Sequence, residues 1–405
     1  MRLTTVFNML LALQGACVRS VELLSELSTI VVGVTKVTRR HRCPQCKFST
    51  RARYDQDESE WRHVSLGKWK VLLRSTVARL SCPEHGVITE AVPWAAAQSR
   101  FTLDFEELVA WMAREMSKTA ATELAKVAWR TVGSIVQRVV GRKLDQKRMD
   151  DLYFIGLDEV SYRKGHKYLT VVADHIEGDA IWAGEGRTQE TVGKFFDELG
   201  PQRCSKLLAV TMDMSASFIA AVQARIPQAT ICFDPFHVVK LANEAVQTVR
   251  RTEARERKGT THADVLKGSR WALLRAPEDL SDDEQLRLCD VALLNHRVYR
   301  AYLLKEELRA LYWCAPSTAA VHLEAWLRWA SRSRLAPFVR LARTLRAHIH
   351  GVLAAIQLGL SNGRLEGLNT RISMLRHRAY GFHSAAALIA MIYLCCSHIP
   401  ISLPV

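Results

Sequence analysis

The spacing of apolar residues changes character several times along the chain. Between about 30 and 94, short β-like runs at 30–37 and 71–81 alternate with polar loops, which predicts a small domain with little core of its own. Leu108, Trp111 and Met112, then Leu124, Val127 and Ala128, then Val132, Ile135, Val136 and Val139 recur at helical spacing and predict three short helices between 103 and 140. The basic run from Arg142 to Arg148 reads as a linker. From Tyr153 the period shortens. Strands at 154–160, 168–174 and 180–184 precede a helix at 188–199 closed by Gly200-Pro201. A buried-type strand at 206–212, a helix at 217–226 stopped by Pro227 and a strand at 230–233 follow, giving the order β-β-β-α-β-α-β of a mixed α/β layer. From about 240 to 359 the chain reads as almost wholly helical and basic, and the last predicted helix begins near Ser361-Asn362.

The opening stretch to Cys17 is interrupted by Gln14 and Gly15, so it predicts a short packed helix and not a secretory signal. No apolar run approaches the roughly 20 residues that cross a bilayer. A length of 405 residues is enough for two to four folded units. The formal charge of +15 favours a polyanionic partner, with DNA or RNA the foremost candidates.

Of ten cysteines, Cys43, Cys46 and Cys82 form a patterned group, whereas Cys17, Cys204, Cys232, Cys289, Cys314, Cys395 and Cys396 are scattered, as free thiols of a reducing cytosol would be. Cys43-x-x-Cys46 and Cys82-x-x-His85 supply two tight ligand pairs, the pattern of structural zinc. Four protein ligands leave no open position, which excludes a catalytic zinc there. His41 and His63 are the alternatives for the fourth ligand.

Asp158 ends the apolar run Phe154-Ile-Gly-Leu, and Asp213 ends Leu207-Leu-Ala-Val-Thr-Met. A carboxylate in such a run is costly unless compensated. Two at one edge of neighbouring strands repel, and a hard divalent cation such as magnesium or manganese relieves the repulsion. Glu159, Asp174, Glu185 and Asp234 compete for the same role.

Four stretches carry a family resemblance. They are Ile155-Gly-Leu-Asp-Glu-Val-Ser-Tyr-Arg-Lys-Gly-His-Lys-Tyr-Leu-Thr170, Thr211-Met-Asp-Met-Ser-Ala216, Phe233-Asp-Pro-Phe-His-Val-Val-Lys240, and Ser361-Asn-Gly-Arg-Leu-Glu-Gly-Leu-Asn369 with Arg378-Ala-Tyr-Gly-Phe382. In this order they resemble the DDE transposases of bacterial insertion sequences, specifically the ISL-three family. The resemblance implies a ribonuclease-H-like catalytic domain, over 151–405, in which Asp158, Asp213 and Glu366 bind two magnesium or manganese ions and cut and join DNA strands with no covalent enzyme intermediate. It also implies a helical insertion at about 240–355, and at least a homodimer in the DNA complex, since two element ends must meet. Asn362, four residues before Glu366, shares its helical face. Asp234 and His237 follow a strand beside the site and are candidates for supporting the carboxylates or touching DNA. The family's zinc pattern normally ends in cysteine, so His85 is a departure.

Residues 1–95 then read as a zinc-ribbon-like domain and 96–150 as a helix-turn-helix DNA reader with its linker. Its second helix begins near Trp129 and points Arg130, Ser134, Gln137 and Arg138 at DNA. Arg364, Arg371, Arg376 and Arg378 flank Glu366 and are candidates to hold the scissile strand. In the insertion, Arg250, Arg251, Arg255, Arg257 and Lys258 read equally as a solvated face or a DNA contact, and Trp271, Trp313, Trp326 and Trp329 read as core in preference to base-stacking platforms. A cytoplasmic, nucleoid-associated enzyme is the expectation. The rival readings are a zinc-ribbon and helix-turn-helix regulator without catalysis, and a metal-dependent RNA nuclease.

Overall fold

The computed structural model describes residues 2–163, 165, 167–379, 382 and 384–403. The chain forms two compact units, one of residues 1–145 with 375–405 and one of residues 146–374.

In the first unit the strands β1 (Ala16–Leu24), β2 (Thr29–Lys36), β3 (His41–Arg42), β4 (Ser49–Thr50), β5 (Asp55–Leu66), β6 (Trp69–Cys82) and β7 (Gly86–Thr89) follow a helix at Leu3–Leu11. The main sheet runs β1-β2-β6-β5 with β7 on β6, and β3 pairs with β4 alone. Phe7, Leu11, Val18, Val32, Val34, Trp61, Val71, Leu73 and Trp94 are buried together, so the N-terminal part has a core of its own, contrary to the expectation from its short runs. The reason is β5, whose polar sequence Asp-Gln-Asp-Glu-Ser-Glu hides a long edge strand. Ion pairs across to β6, Glu60 with Arg74 at 2.7 Å and Asp55 with Arg79, satisfy its charges while Trp61 turns inward.

The helices Leu103–Glu115, Lys118–Ala125 and Trp129–Lys143 form as the periodicity predicts, the first two capped by the Thr102 and Ser117 hydroxyls. Their core of Phe105, Val109, Val132, Ile135, Val136 and Val139 is completed by Ala390, Tyr393, Leu394 and Ile399. Those residues come from and just after a C-terminal helix, Ala385–Cys396, which the hydrophobic pattern did not predict.

The second unit holds β8 (Phe154–Arg163), β9 (Lys167–Asp174), β10 (Ala180–Glu185), β11 (Ala209–Met212) and β12 (Thr230–Phe233), in sheet order β10-β9-β8-β11-β12. β8, β9 and β10 are antiparallel, and β11 runs parallel to both β8 and β12. β11 starts later than predicted because Pro201–Cys204 is helical and the Lys206 N–H turns back to the Arg203 carbonyl. The helices Gln189–Leu199 and Ala216–Arg225 bring Phe195, Phe196, Phe218 and Val222 into one core with Ile155, Leu157 and Val210 of the sheet. After β12 the chain is helical from Pro235–Glu256 through Ile349–Leu358, then Gly363–Arg378. The helix Ile349–Leu358 meets β12 through Gly351, where a Cβ would lie 2.5 Å from the Phe233 ring.

Two buried cations inside the helical stretch are paired, although Asn243 Oδ1, Gln247 Nε2 and the Tyr312 hydroxyl are buried without a hydrogen-bond partner among the described residues. Arg250 is buried and donates to the Leu266 carbonyl, so it is not part of a solvated charge run. Buried Lys305 donates to the Leu273 carbonyl at 2.9 Å and the Arg275 carbonyl at 3.1 Å. Trp326 is core as expected, whereas Trp271, Trp313 and Trp329 are exposed.

Candidate functional site

Parallel pairing sets the site's geometry. Gly156 of β8 pairs with Thr211 of β11, and Met212 of β11 pairs with Phe233 of β12. Continuing these registers puts Asp158, Asp213 and Asp234 level with one another, Asp158 in the middle of β8 and Asp213 and Asp234 just past the carboxyl ends of β11 and β12. The apolar residues that precede them form the strands and are buried, and β8 runs on past Asp158 through buried Val160 and Tyr162.

Asp158 is partly buried. Its Oδ1 accepts the Glu159 N–H at 2.7 Å and its Oδ2 accepts the Asn369 amide at 2.6 Å. Burial pushes its carboxyl above the usual range, and the Asp213 charge adds to this against the opposing pull of those hydrogen bonds and of His237. Asp213 accepts the Ser215 N–H at 3.1 Å. Asp234 is only 2% exposed and is held by two partners: its Oδ1 accepts the Asn362 N–H at 3.1 Å, and its Oδ2 meets His237 Nδ1 at 2.8 Å. That hydrogen bond raises the His237 imidazole above its ordinary value, with the charges of Asp234, Asp158 and Asp213 acting the same way against burial.

Glu366 lies in the first turn of Gly363–Arg378. Asn362 precedes this helix, and its carbonyl accepts the Glu366 N–H at 2.8 Å. The Thr211 hydroxyl donates to Asn362 Oδ1 and itself contacts His175 Nε2, so β11 also grips the helix start. Further along, Leu365 occupies the space above Gly156: a Cβ there would lie 2.3 Å from Leu365 Cδ1. Glu366 itself is exposed, and its carboxyl is raised by partial desolvation and by the charges of Asp234 and Asp158.

Asp158, Asp213, Asp234, His237, Asn362 and Glu366 thus share one neighbourhood. Asp158, Asp213 and Glu366 do not have ligand atoms all within 4.8 Å of one another; among the described residues the group that does is Cys43, Cys46, Cys82 and His85. The carboxylates nevertheless fit a hard divalent cation, because the donors are all oxygen and neighbouring acid charges push the Asp158 and Glu366 carboxyls up alongside burial. The sequence reading missed Asn369, Thr211 and His175. Asn369 carried a usable signal, being three residues beyond Glu366 on the same helical face.

The competing acids have other duties. Asp174 closes the turn after β9 by accepting the Ile176 N–H at 2.9 Å, Glu185 accepts the Tyr162 hydroxyl at 2.7 Å, and Glu159 faces Arg187 at 3.5 Å. Arg364 and Arg371 are exposed on the Glu366 helix, with Arg371 donating to the Gly178 carbonyl at 3.2 Å. Arg376 is partly buried, and Arg378 donates to the Ala113 and Arg114 carbonyls, both at 2.9 Å, within the first unit.

The soft ligands sit at two hairpins, Cys43 and Cys46 between β3 and β4, Cys82 at the end of β6 and His85 in the turn before β7. Cys46 Sγ lies 3.6 Å from Cys82 Sγ, and His85 Nδ1 lies 3.5 Å from Cys82 Sγ and 3.7 Å from Cys43 Sγ. A tetrahedron with bonds of about 2.0–2.3 Å has edges of roughly 3.3–3.8 Å, so this group fits such an ion. The two other histidines are engaged elsewhere: His41 with Glu90 at 2.8 Å, and buried His63 with Thr102 at 2.9 Å.

On the helix Trp129–Lys143, Arg130, Ser134 and Gln137 are exposed. Arg138 is placed differently from the expectation: it donates to Glu106 at 2.6 Å, and Arg142 donates to the same carboxylate at 2.5 Å. Glu106 is 0% exposed, so both arginines serve a buried charge of the first unit.

Comparison with known proteins gives concordant matches. Residues 155–392 match the family model described as transposase, that of the DDE enzymes of ISL3 elements, and residues 90–140 match the helix-turn-helix domain of transposase family ISL3. A transposase for insertion sequence element IS1557 from Mycobacterium tuberculosis strain CDC 1551 is 40% identical over 377 residues, covering 86% of this chain and 84% of its own. The IS1557 transposase of strain H37Rv matches equally. A transposase for insertion sequence element IS1001 from Bordetella parapertussis is 28% identical over 344 residues, covering 84% of this chain and 85% of its own.

Proposed function

The chain belongs to the ISL3 family of DDE transposases and is a DNA transposase with a helix-turn-helix domain; on that footing we propose that Asp158, Asp213 and Glu366 are its catalytic carboxylates. The observation that carries this reading is the level placement of Asp158 and Asp213 on parallel strands, with the Glu366 helix tied to Asp158 of β8 and to Asp234 after β12. The sheet order, three antiparallel strands continued by two parallel ones, supports a ribonuclease-H-like catalytic fold interrupted by the helical stretch after β12.

Asp158, Asp213 and Glu366 would hold magnesium or manganese, which would supply Lewis-acid activation of the attacking oxygen and charge stabilisation of the leaving one in phosphodiester cleavage and strand transfer. The chain's own part is to hold those carboxylates ready. The Glu159 N–H and Asn369 fix Asp158, the Ser215 N–H fixes Asp213, and Asn362 with Asp234 fixes the start of the Glu366 helix. His237, oriented by Asp234, brings positive charge to the acids and to an approaching phosphate. Arg364 and Arg371, exposed on the same helix, suit contact with the scissile strand.

Cys43, Cys46, Cys82 and His85 hold a structural zinc that organises the N-terminal hairpins. Arg130, Ser134 and Gln137 read the element ends. Pairing two ends calls for a homodimer or larger assembly. Among the described residues no helix is long and apolar enough to cross a membrane, in keeping with action on DNA in the bacterial cytoplasm, at the nucleoid.

The test is to assay Asp158→Asn, Asp213→Asn and Glu366→Gln in parallel for element-end binding and magnesium-dependent nicking. Each is expected to bind ends and fail to nick. Wild-type nicking by Glu366→Gln would move the third carboxylate elsewhere, with Asp234 the first candidate.

A further inference from the structure

We propose that Asn369 is a positioning residue that sets Asp158 and the Glu366 helix in one geometry for the divalent ion; this rests on the reading of Asp158 as a metal ligand. The contact is direct, Asn369 Nδ2 donating to Asp158 Oδ2 at 2.6 Å across 211 positions of sequence. Asp158 Oδ1 is held independently by the Glu159 N–H at 2.7 Å, so both oxygens have one donor each and the carboxylate plane is fixed. A carboxylate offers about four lone-pair sites, so two donors leave room for a cation.

The chemical type of the brace matters. A lysine or arginine at this position would fix Asp158 equally well, but its charge would oppose a divalent ion on the same carboxylate. A neutral amide orients the oxygen and leaves its negative charge available.

Asn369 also links two carboxylates mechanically. It lies three residues beyond Glu366 on one helical face, and just before Glu366 the helix is seated on β8 by Leu365 above Gly156. At the helix start, Asn362 is tied to Asp234 by its N–H and to Thr211 by its Oδ1. Losing the Asn369 bond leaves Asp158 held by the Glu159 N–H alone and removes one of the ties that register Glu366 to the strands.

The experiment uses the full-length chain and manganese as the probe. Free manganese is measured by electron paramagnetic resonance during titration of wild type, Asn369→Ala, Asn369→Leu, Asn369→Gln and Asp158→Asn. The magnesium dependence of nicking, element-end binding and melting temperature are followed in parallel. Loss of the amide in the Ala and Leu variants is expected to weaken manganese binding about ten-fold or more. It should raise the magnesium needed for half-maximal nicking in the same direction and leave end binding unchanged. Gln, which keeps an amide on a longer stem, is expected to fall between them and wild type. Manganese binding at wild-type strength in both the Ala and Leu variants, with Asp158→Asn deficient, overturns the proposal, and a lowered melting temperature with unchanged manganese affinity reassigns Asn369 to packing. Wild-type manganese binding by Asp158→Asn instead overturns the underlying carboxylate reading.

Discussion

Asp158 and Asp213 stand level on adjacent parallel strands, each two residues beyond the pair formed by Gly156 and Thr211. On the proposed reading, their mutual repulsion would be relieved by ions that both share. Ligands of one shared ion pair fail together, so Asp158→Asn/Asp213→Asn is expected to nick hardly more slowly than either single variant. Nicking rates of the three proteins check this, and a double variant much slower than both singles would give the two acids separate roles.

Gly156 is the notch for the Glu366 helix. Gly156→Ala sets a Cβ 2.3 Å from Leu365 Cδ1, an overpacking worth roughly 1–3 kcal/mol, and should slow nicking by displacing the helix. Leu365→Ala opens a cavity costing roughly 2–5 kcal/mol. In the double variant the new methyl partly fills the vacated space, so its melting temperature should exceed the sum of the two effects. Strict additivity would remove the contact from the account.

Zinc dependence separates the two units. Purified wild type should carry one zinc per chain, Cys46→Ser none, and His85→Cys one, by elemental analysis. Hydrogen exchange in Cys46→Ser should quicken over residues 40–90 and stay unchanged over 154–233. Metal-free wild type with a protected N-terminal sheet would refute this.

Arg130 and Arg138 should behave oppositely. Arg130→Ala is expected to weaken element-end binding and lower the salt slope by about one, with no change in melting temperature. Arg138→Ala leaves the buried Glu106 with Arg142 and the Ser99 hydroxyl, at a cost of roughly 1–3 kcal/mol. A salt series and thermal melts distinguish them; the reverse pattern would return Arg138 to the DNA face.

Burial holds His63 below its ordinary value of 6.5, partly offset by the Asp104 charge. The unfolded chain therefore takes up this proton at higher pH than the folded one. The stability contributed by neutral His63 is complete above about pH 6.5 and is lost as pH falls below that toward the folded value. Melting temperatures should drop over this acidic window less steeply in His63→Gln than in wild type. Parallel curves would exclude His63 as a contributor.

The sequence by itself determined the strands and acids of the second unit. Ile155, Leu157 and Val210 lie in apolar runs that only a buried sheet accommodates, so Asp158 and Asp213 stood out at their ends. The paired Cys43, Cys46, Cys82 and His85 and the helix starting at Trp129 were legible for the same reason, a short pattern with one economical physical meaning. Only the tertiary structure decided which polar side chains meet. β5 was hidden because its charges are satisfied by Arg74 and Arg79 of a partner strand. The helix Ala385–Cys396 was hidden because a run apolar on nearly every side has no periodic face to read. Arg138 was assigned to DNA because the helix periodicity could not show buried Glu106 awaiting it. Asn369 reaches Asp158 and Thr211 reaches Asn362 only after register and helix seating bring distant positions together. Local hydrophobic spacing reports which faces leave water, whereas the partner of a polar group is fixed by packing between segments far apart in the chain.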